Sequence, residues 1–244
     1  MLYCSIPAAA LGQRRYSTGP DSLSAAALPP IQAFIFDSDG TLVDSEVPSM
    51  DVIYEQALSQ GVRFTREEAH RVFRGLRMAE VIAWVSARMP QVPDDFAEVF
   101  ARTVRSAQAE RFHRGLGTIR GARELLGQLT VPFCVATNGP REKVELTLGL
   151  TGLLPCFGDR IFSAYEVGSF KPDPGLFLHA ARVLGVAPQH CAVVEDSEPG
   201  IRAGLAAGMR VFSLFPADQL APELQAQVVS IRDLTEIPWR GPGT

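Results

Sequence analysis

The chain has 244 residues, of which 46% are hydrophobic and 20% charged, with a formal net charge of −4 at pH 7. That length suits one medium domain or a domain carrying an insertion, and the acidic balance offers no basic surface for nucleic acid. No apolar run approaches the roughly 18 residues of a membrane-spanning helix. We therefore expect a soluble cytoplasmic protein, a monomer or weak homo-oligomer, with neither nucleic-acid nor membrane partners.

Residues 1–30 differ in composition from the rest of the chain. They are rich in Ala, Ser, Gly and Pro, lack any apolar periodicity and end in Pro29-Pro30. Arg14 and Arg15, with no acidic residue before Asp21, faintly resemble an organellar transit peptide. Our main expectation for this segment is a disordered leader or an over-extended N-terminus.

After residue 30, short apolar runs alternate with amphipathic stretches. The runs are apolar enough to be buried on both faces, and the predicted strands are Ala33–Asp37, Phe133–Thr137, Arg160–Ser163, Ala192–Glu195 and Arg210–Phe215. The predicted helices between them are Ala122–Leu129, Arg141–Leu148, Pro174–Leu184 and Ile201–Ala207. This alternation predicts an α/β fold with a doubly wound, Rossmann-like parallel sheet. Cys134 and Cys191 fall within predicted strands and should be buried, reduced thiols.

Between Ser49 and about Arg114 the sequence predicts only helices. A capping box at Thr65–Glu68 begins one of them. The last has an apolar stripe made of Phe96, Val99, Phe100, Thr103, Val104 and Ala107. We therefore predict a helical cap domain over residues 48–115, inserted into a catalytic core of residues 31–47 and 116–244. The return through Gly115-Leu116-Gly117 is a plausible hinge.

Two carboxylates follow the first predicted strand. Asp37 and Asp39 come directly after the apolar run Ala33–Phe36. Residues i and i+2 of a strand point to the same side, so both acids should project into one small space. Like charges held so close need a cation, a shared proton or a substrate to offset their repulsion. The segment therefore predicts chemistry.

Further polar residues follow the other strands. Ligands of such sheets bind beyond the carboxyl ends of the strands, where we expect to find Thr137, Asn138, Lys171, Glu195 and Asp196. Hard oxygen donors with few neutral partners favour Mg²⁺ and a phosphate-bearing substrate. Asp37 and Asp196, with Glu195 as a further candidate, are the predicted metal ligands.

These residue types suit phosphoryl transfer. An attacking Asp37 carboxylate would form an aspartyl-phosphate and divide one difficult displacement into two easier ones. Thr137 and Lys171 would bind the phosphoryl oxygens, where charge spreads in the transition state. Asp39 would protonate the leaving oxygen and then deprotonate water.

Four motifs occur in order along the chain: Asp37–Leu42, Thr137-Asn138, Lys171–Pro174 and Glu195–Ser197. With them, residues 31–215 resemble the haloacid dehalogenase superfamily of aspartate-nucleophile phosphatases, in the branch with a helical C1-type cap. The resemblance implies that Asp37 is the nucleophile and Asp39 the general acid and base. It also implies Mg²⁺ held by Asp37, Asp196 and the Asp39 carbonyl, with Glu195 able to touch the metal.

Within the superfamily, Asp39 separates the chain from the haloacid dehalogenases proper, which lack an acid there. β-Phosphoglucomutase-like members carry a histidine twelve residues past the nucleophile, where this chain has Ser49. The segments Asp44–Glu46, Phe73–Arg77 and Val135–Pro140 are similar to bacterial sugar phosphatases of the 6-phosphogluconate type. The resemblance implies a Mg²⁺-dependent phosphatase acting on a small phosphorylated metabolite. The alternatives are a phosphosugar mutase and a catalytically silent binding protein on the same fold.

Three residues are predicted to contact the substrate. Arg74 and Arg77 flank Gly75 in the cap and would contact the distal group of the substrate, or else lie on a solvated face. Asn138 would contact the phosphate or cap the helix that follows it.

Overall fold

The computed structural model describes residues 30–239. Our expectations for the leader, apart from Pro30, lie outside the described residues. The strands are β1 (Ala33–Phe36), β2 (Phe133–Thr137), β3 (Ile161–Ser163), β4 (Cys191–Glu195), β5 (Arg210–Ser213) and β6 (Val229–Ser230). They form one sheet in the order β3-β2-β1-β4-β5-β6, and every pairing is parallel. The predicted α/β fold with a parallel sheet is confirmed.

The helices occupy two sets of positions. Helices α1 (Glu46–Ser59), α2 (Arg66–Phe73), α3 (Met78–Ser86) and α4 (Phe96–His113) follow β1, as predicted for that stretch. The others pack with the sheet: α5 (Ala122–Gln128) precedes β2, and the helices after β2 are α6 (Arg141–Leu150), α7 (Ala164–Val167), α8 (Gly175–Leu184), α9 (Glu198–Ala206) and α10 (Pro222–Gln225).

The sheet is buried on both faces because its strands are apolar at every position. Successive side chains of a strand point to opposite sides. Ile35 therefore packs in one cluster with Leu176, while Phe34 and Phe36 pack in another with Leu148. All five of these side chains have no exposed surface. Cys134 and Cys191 are buried and free, as expected.

Most of the predicted elements differ from the structure by one to three residues at one or both ends, and one strand was not predicted. Strand β1 ends at Phe36, although the Asp37 amide still donates to the Val194 carbonyl at 3.0 Å. Helix α8 begins at Gly175, with Pro174 as N-cap, and Asp173 accepts a hydrogen bond from the Gly175 amide at 2.7 Å. Strand β6 was not predicted because two exposed residues carry no periodic signal.

Helices α1–α4 have a core of their own, which includes Val52, Phe73, Val85 and Phe100. The predicted stripe on α4 was partly wrong. Val99 is 38% exposed and Thr103 is also exposed. The buried stripe instead runs through Phe96, Phe100, Val104, Gln108 and Phe112. The face was misjudged because Gln108, a polar residue, occupies one of its buried positions.

The chain leaves β1 for α1 and returns from α4 at one place. The Asp44 amide donates to the Gly117 carbonyl at 3.0 Å, and the Ile119 amide donates to the Leu42 carbonyl at 3.0 Å. Val43 and Thr118 form an antiparallel bridge between these two bonds. The outgoing and returning segments are therefore held side by side. Among the described residues, no helix has the length and apolarity needed to cross a membrane.

Candidate active site

The loop after β1 packs against the end of β4. Gly40 has φ +77°, and a Cβ there would lie 2.1 Å from Oδ2 of Asp196. Only glycine allows both the left-handed turn and this close approach. Thr41 Oγ1 donates to Oδ1 of Asp196 at 3.2 Å. The turn thus brings Asp196 beside the loop that carries Asp37 and Asp39, although these residues lie far apart in the sequence.

Lys171 lies at the centre of the site. Its Nζ donates to Oδ1 of Asp37 at 2.5 Å and to Oε1 of Glu195 at 2.5 Å. Its side chain is only 2% exposed. Burial disfavours the ammonium, but the attraction of Asp37 and Glu195 outweighs burial and raises the pKa of Lys171. Lys171 is therefore a fixed cation beside the predicted nucleophile.

Asp37, the predicted nucleophile, is buried beside other carboxylates, which disfavours its ionised form. Burial raises the pKa of Asp37 to about 7, against the opposing attraction of Lys171, and Glu195 adds to the rise. Burial, together with the charges of Glu195 and Asp37, also raises the pKa of Asp196 well above its usual range. The two carboxyls are therefore crowded in a site that would bind additional positive charge.

Glu195 is fully buried beneath Lys171 and faces helix α9. Its Oε2 accepts hydrogen bonds from the Asp196 amide, the Ser197 amide and Ser197 Oγ at 3.1, 3.0 and 2.9 Å. A Cβ on Gly200 would lie 1.9 Å from its carboxyl carbon, so α9 closes over it. Both oxygens of Glu195 thus have donors, and one of them holds Lys171. A contact between Glu195 and the metal stays a prediction.

Asp39 has different partners from Asp37. Its Oδ2 accepts from Lys143 Nζ at 2.8 Å and its Oδ1 from Ser45 Oγ at 2.5 Å. Burial alone would raise the pKa of Asp39, but Lys143 and Ser45 outweigh burial and hold it below its usual range. Neither Lys143 nor Ser45 was predicted as a site residue from the sequence. The only signal for Lys143 was its place in the first turn of the helix after β2.

Thr137 and Asn138 end β2 beside these acids. Thr137 is 2% exposed, and its Oγ1 accepts from the Gly139 amide at 3.0 Å. The side-chain nitrogen of Asn138 donates to the Lys171 carbonyl at 3.2 Å, and its side-chain oxygen accepts from the Lys171 backbone amide at 2.9 Å. Asn138 therefore positions the Lys171 backbone. It does not cap α6, whose N-cap is Pro140.

A cavity of about 570 Å³ opens above these residues. The strand ends supply one wall of it, with Asp37, Asp39, Thr137, Lys171 and Asp196. Helices α1 and α4 and the loop after α2 supply the opposite wall, with Glu46, Ser49, Met50, Ile53, Arg74, Arg77, Arg105, Gln108, Ala109 and Phe112. A volume of this size suits a small metabolite.

Arg74 and Arg77 both line the cavity, and each already has a carboxylate partner. Their contact with the substrate stays a prediction. Arg74 pairs with Glu46 at 2.9 Å and Arg77 with Glu80 at 3.2 Å. The Arg77 guanidinium also lies 5.6 Å from the centre of the Phe170 ring, in the loop that carries Lys171.

The donor chemistry at the strand ends suits Mg²⁺. Within residues 30–239, no three His, Cys, Asp or Glu side chains form a metal-binding group. Mg²⁺ does not require one, since it commonly binds one or two carboxylates and keeps several waters. The crowded Asp37 and Asp196 offer two hard oxygen donors, and their raised pKa values mark a site that lacks positive charge.

Comparison with known sequences agrees with this geometry. Residues 31–208 match the family model described as haloacid dehalogenase-like hydrolase. The chain is 35% identical to 6-phosphogluconate phosphatase of Escherichia coli strain K12, over 87% of this chain and 96% of that protein. It is 32% identical to hexitol phosphatase A of the same strain, over 84% of this chain and 93% of that protein.

Solved structures give the same result. A HAD family hydrolase of Deinococcus radiodurans R1, with bound phosphate and sodium, has a TM-score of 0.64 and 32% identity over 82% of this chain and 90% of its own. A putative beta-phosphoglucomutase of Thermotoga maritima has a TM-score of 0.66 and 26% identity over 82% of this chain and 93% of its own. The resemblance drawn from the four motifs is confirmed: the chain belongs to the haloacid dehalogenase-like hydrolases, as an enzyme of the phosphatase type.

Proposed function

We propose that the protein is a Mg²⁺-dependent phosphatase that releases phosphate from a small sugar phosphate through an aspartyl-phosphate on Asp37. The observation that carries the proposal is the unequal bonding of the two acids. Asp37 faces the buried ammonium of Lys171, whereas Lys143 and Ser45 hold Asp39. One acid is thus arranged to meet an anionic phosphoryl group and the other to exchange protons.

In the first half-reaction, a carboxylate oxygen of Asp37 attacks phosphorus, and the bond between phosphorus and the sugar oxygen breaks. Asp39 reacts here in its protonated form and gives that proton to the leaving oxygen. Lys171 and Thr137 bind the phosphoryl oxygens as charge spreads over them. In the second half-reaction, Asp39 takes a proton from water, whose oxygen attacks phosphorus and frees Asp37 together with inorganic phosphate.

Asp37, Asp196 and the backbone carbonyl of Asp39 would hold Mg²⁺. When bound, the ion supplies the positive charge that lets a carboxylate approach a phosphate dianion. The crowding of Asp37 and Asp196 supports this assignment.

Residues 48–115 would act as a cap that selects the substrate and excludes water, over a core of residues 31–47 and 116–244. Support comes from the cavity, which has one wall from each part. The sugar-phosphate class is supported by the relatives named as phosphatases of 6-phosphogluconate and of hexitol phosphates. A mutase is less well supported, because Ser49 stands where that branch has histidine.

Phosphate release from a panel of sugar phosphates tests the proposal. Activity should disappear with EDTA and return with Mg²⁺, and Asp37→Asn should abolish both turnover and an acid-labile phosphoenzyme. Asp218→Asn, which changes an exposed acid away from the cavity, is the matched control. An active Asp37→Asn variant, or activity that ignores chelation, would refute the mechanism. Isomerised sugar phosphate without free phosphate would instead identify a mutase.

A further inference from the structure

Helix α4 presents one face to the cavity. Arg105, Gln108, Ala109 and Phe112 line it, and their spacing of three and four residues places them on a single side of the helix. Phe112 lies next to the return into the core. Arg105 comes seven residues earlier, which places it about 10 Å further along the helix axis. Arg105 therefore stands at the end of the cavity that is remote from the strand ends.

Arg105 differs in pairing from the other cations of the cavity. Among residues 30–239 its side chain has no hydrogen bond or ion pair. The other cationic lining residues each meet a carboxylate, in the pairs Arg74 with Glu46, Arg77 with Glu80, Lys143 with Asp39, and Lys171 with Asp37. The guanidinium of Arg105 is thus the positive charge that this wall leaves available to a ligand.

Ser49, across from this face on α1, gives a second and independent sign of a ligand. Ser49 is 8% exposed and lines the cavity, yet its Oγ has no hydrogen-bond partner among the described residues. Gln108 donates to the Ser49 carbonyl at 3.4 Å, so this hydroxyl lies beside the cavity face of α4. Buried hydroxyls are normally bonded, and the ligand is the natural partner for this one.

We propose that Arg105 forms a distal subsite, with Ser49 between it and the strand ends, and that this subsite selects phosphorylated open-chain sugars that carry a carboxylate at the end remote from the phosphate. The inference rests on the proposed phosphatase function and names its substrate class. A single free guanidinium matches the charge and the two-oxygen geometry of a carboxylate. A second phosphate dianion would need more positive charge than this wall leaves unpaired. Ser49 would bind a hydroxyl or carboxylate oxygen of the same substrate.

The test compares substrates that differ only at the far end: 6-phosphogluconate, the corresponding hexitol 6-phosphate and the hexitol 1,6-bisphosphate. Arg105→Gln should lower kcat/KM for the sugar acid by about 10- to 100-fold, since it removes a charge-assisted contact. Loss on the hexitol 6-phosphate, whose far end is uncharged, should be much smaller. Ser49→Ala should lower kcat/KM for the sugar acid by roughly 3- to 10-fold.

Arg102→Gln is the matched control. Arg102 lies one turn away on α4, pairs with Glu98 and does not line the cavity, so both substrates should react at wild-type rates. Melting temperatures check that every variant is folded. Equal loss on the acid and the hexitol in Arg105→Gln would overturn the subsite, and a larger loss on the bisphosphate would overturn the choice of carboxylate. A wild-type protein that releases phosphate from none of the three substrates would refute the proposed function itself.

Discussion

The two walls of the cavity are built in opposite ways. On the strand-end wall, Lys171 is 2% exposed and bonded to two carboxylates, and the side chain of Asp37 is 11% exposed. On the opposite wall, formed by α1, α4 and the loop after α2 and called here the cap wall, Arg74 and Arg77 are 33% and 44% exposed. Each pairs with one carboxylate. Buried ion pairs act in a low dielectric and hold their geometry, whereas exposed pairs contribute only about 0–1 kcal/mol. Rate should therefore depend on the first wall and substrate choice on the second.

The largest expected effect is on the acid–base group of the strand-end wall. Asp39→Asn should lower kcat by about 10²–10⁴-fold, because the variant cannot exchange a proton with the leaving group or water. The unfolding free energy should change little, since the asparagine oxygen can accept from Lys143 while its side-chain nitrogen donates to Ser45 Oγ. Steady-state kinetics and urea unfolding measure the two effects. A variant with normal kcat would remove Asp39 from its proposed role.

Lys171→Met tests whether burial makes this wall rigid. We expect kcat to fall by about 10²–10³-fold through the loss of phosphoryl stabilisation. The unfolding free energy without divalent cations should fall by about 3–5 kcal/mol, because Asp37 and Glu195 would be left buried without their cation. Urea unfolding in EDTA measures this. Unchanged stability would show that the buried pairs do not support the fold.

Lys143→Met should give a smaller and more specific change. We expect kcat to fall about tenfold, because Lys143 positions Asp39 without touching the reacting atoms. Lys143 holds the pKa of Asp39 low, so its removal should raise that pKa and shift to higher pH the alkaline limb of the kcat/KM profile, where Asp39 loses the proton that it gives to the leaving group. Lys143→Arg should restore part of the rate. An unshifted pH profile would contradict this positioning role.

The smallest effect is expected on the cap wall. Arg77→Gln removes the contact with the Phe170 ring, and KM should rise about two- to fivefold while kcat stays near normal. Arg88→Gln is the control, because Arg88 stacks on Trp84 within the same helices but does not line the cavity. A fall of kcat by orders of magnitude in Arg77→Gln would erase the contrast between the two walls.

Much of the fold could be predicted because the sheet signals are local. Phe133–Thr137 was bounded correctly, since an apolar run between polar residues determines a buried strand. The exposed strand Val229–Ser230 depends on its neighbour β5 and has no such signal. On α4, the buried face includes the polar residue Gln108, whereas the apolar residue Val99 is exposed. A stripe chosen by apolar residues alone therefore predicts the wrong position for Val99.

Some residues of the candidate site could likewise be predicted from the sequence, and others could not. Asp37, Lys171 and Asp196 could be collected because parallel strands end at one edge of the sheet. Lys143 and Ser45 could not, because their relation to Asp39 depends on side-chain directions after the fold has formed. The task of Glu195 was also hidden, since the sequence does not show which acid lies beneath Lys171. Arg105 was overlooked because a charged residue on a helix ordinarily faces water.

The paired crossing near Val43 and Thr118 has a consequence for how such enzymes diversify. The chain leaves and re-enters the core through adjacent, hydrogen-bonded segments. Helices α1–α4 are therefore attached to the sheet at a single place. A different inserted segment with the same two ends could replace α1–α4 without changing the strand order. Chimaeras joined at this bridge would exchange substrate preference between relatives while keeping one reaction, and gene segments cut at these two points are natural units of recombination.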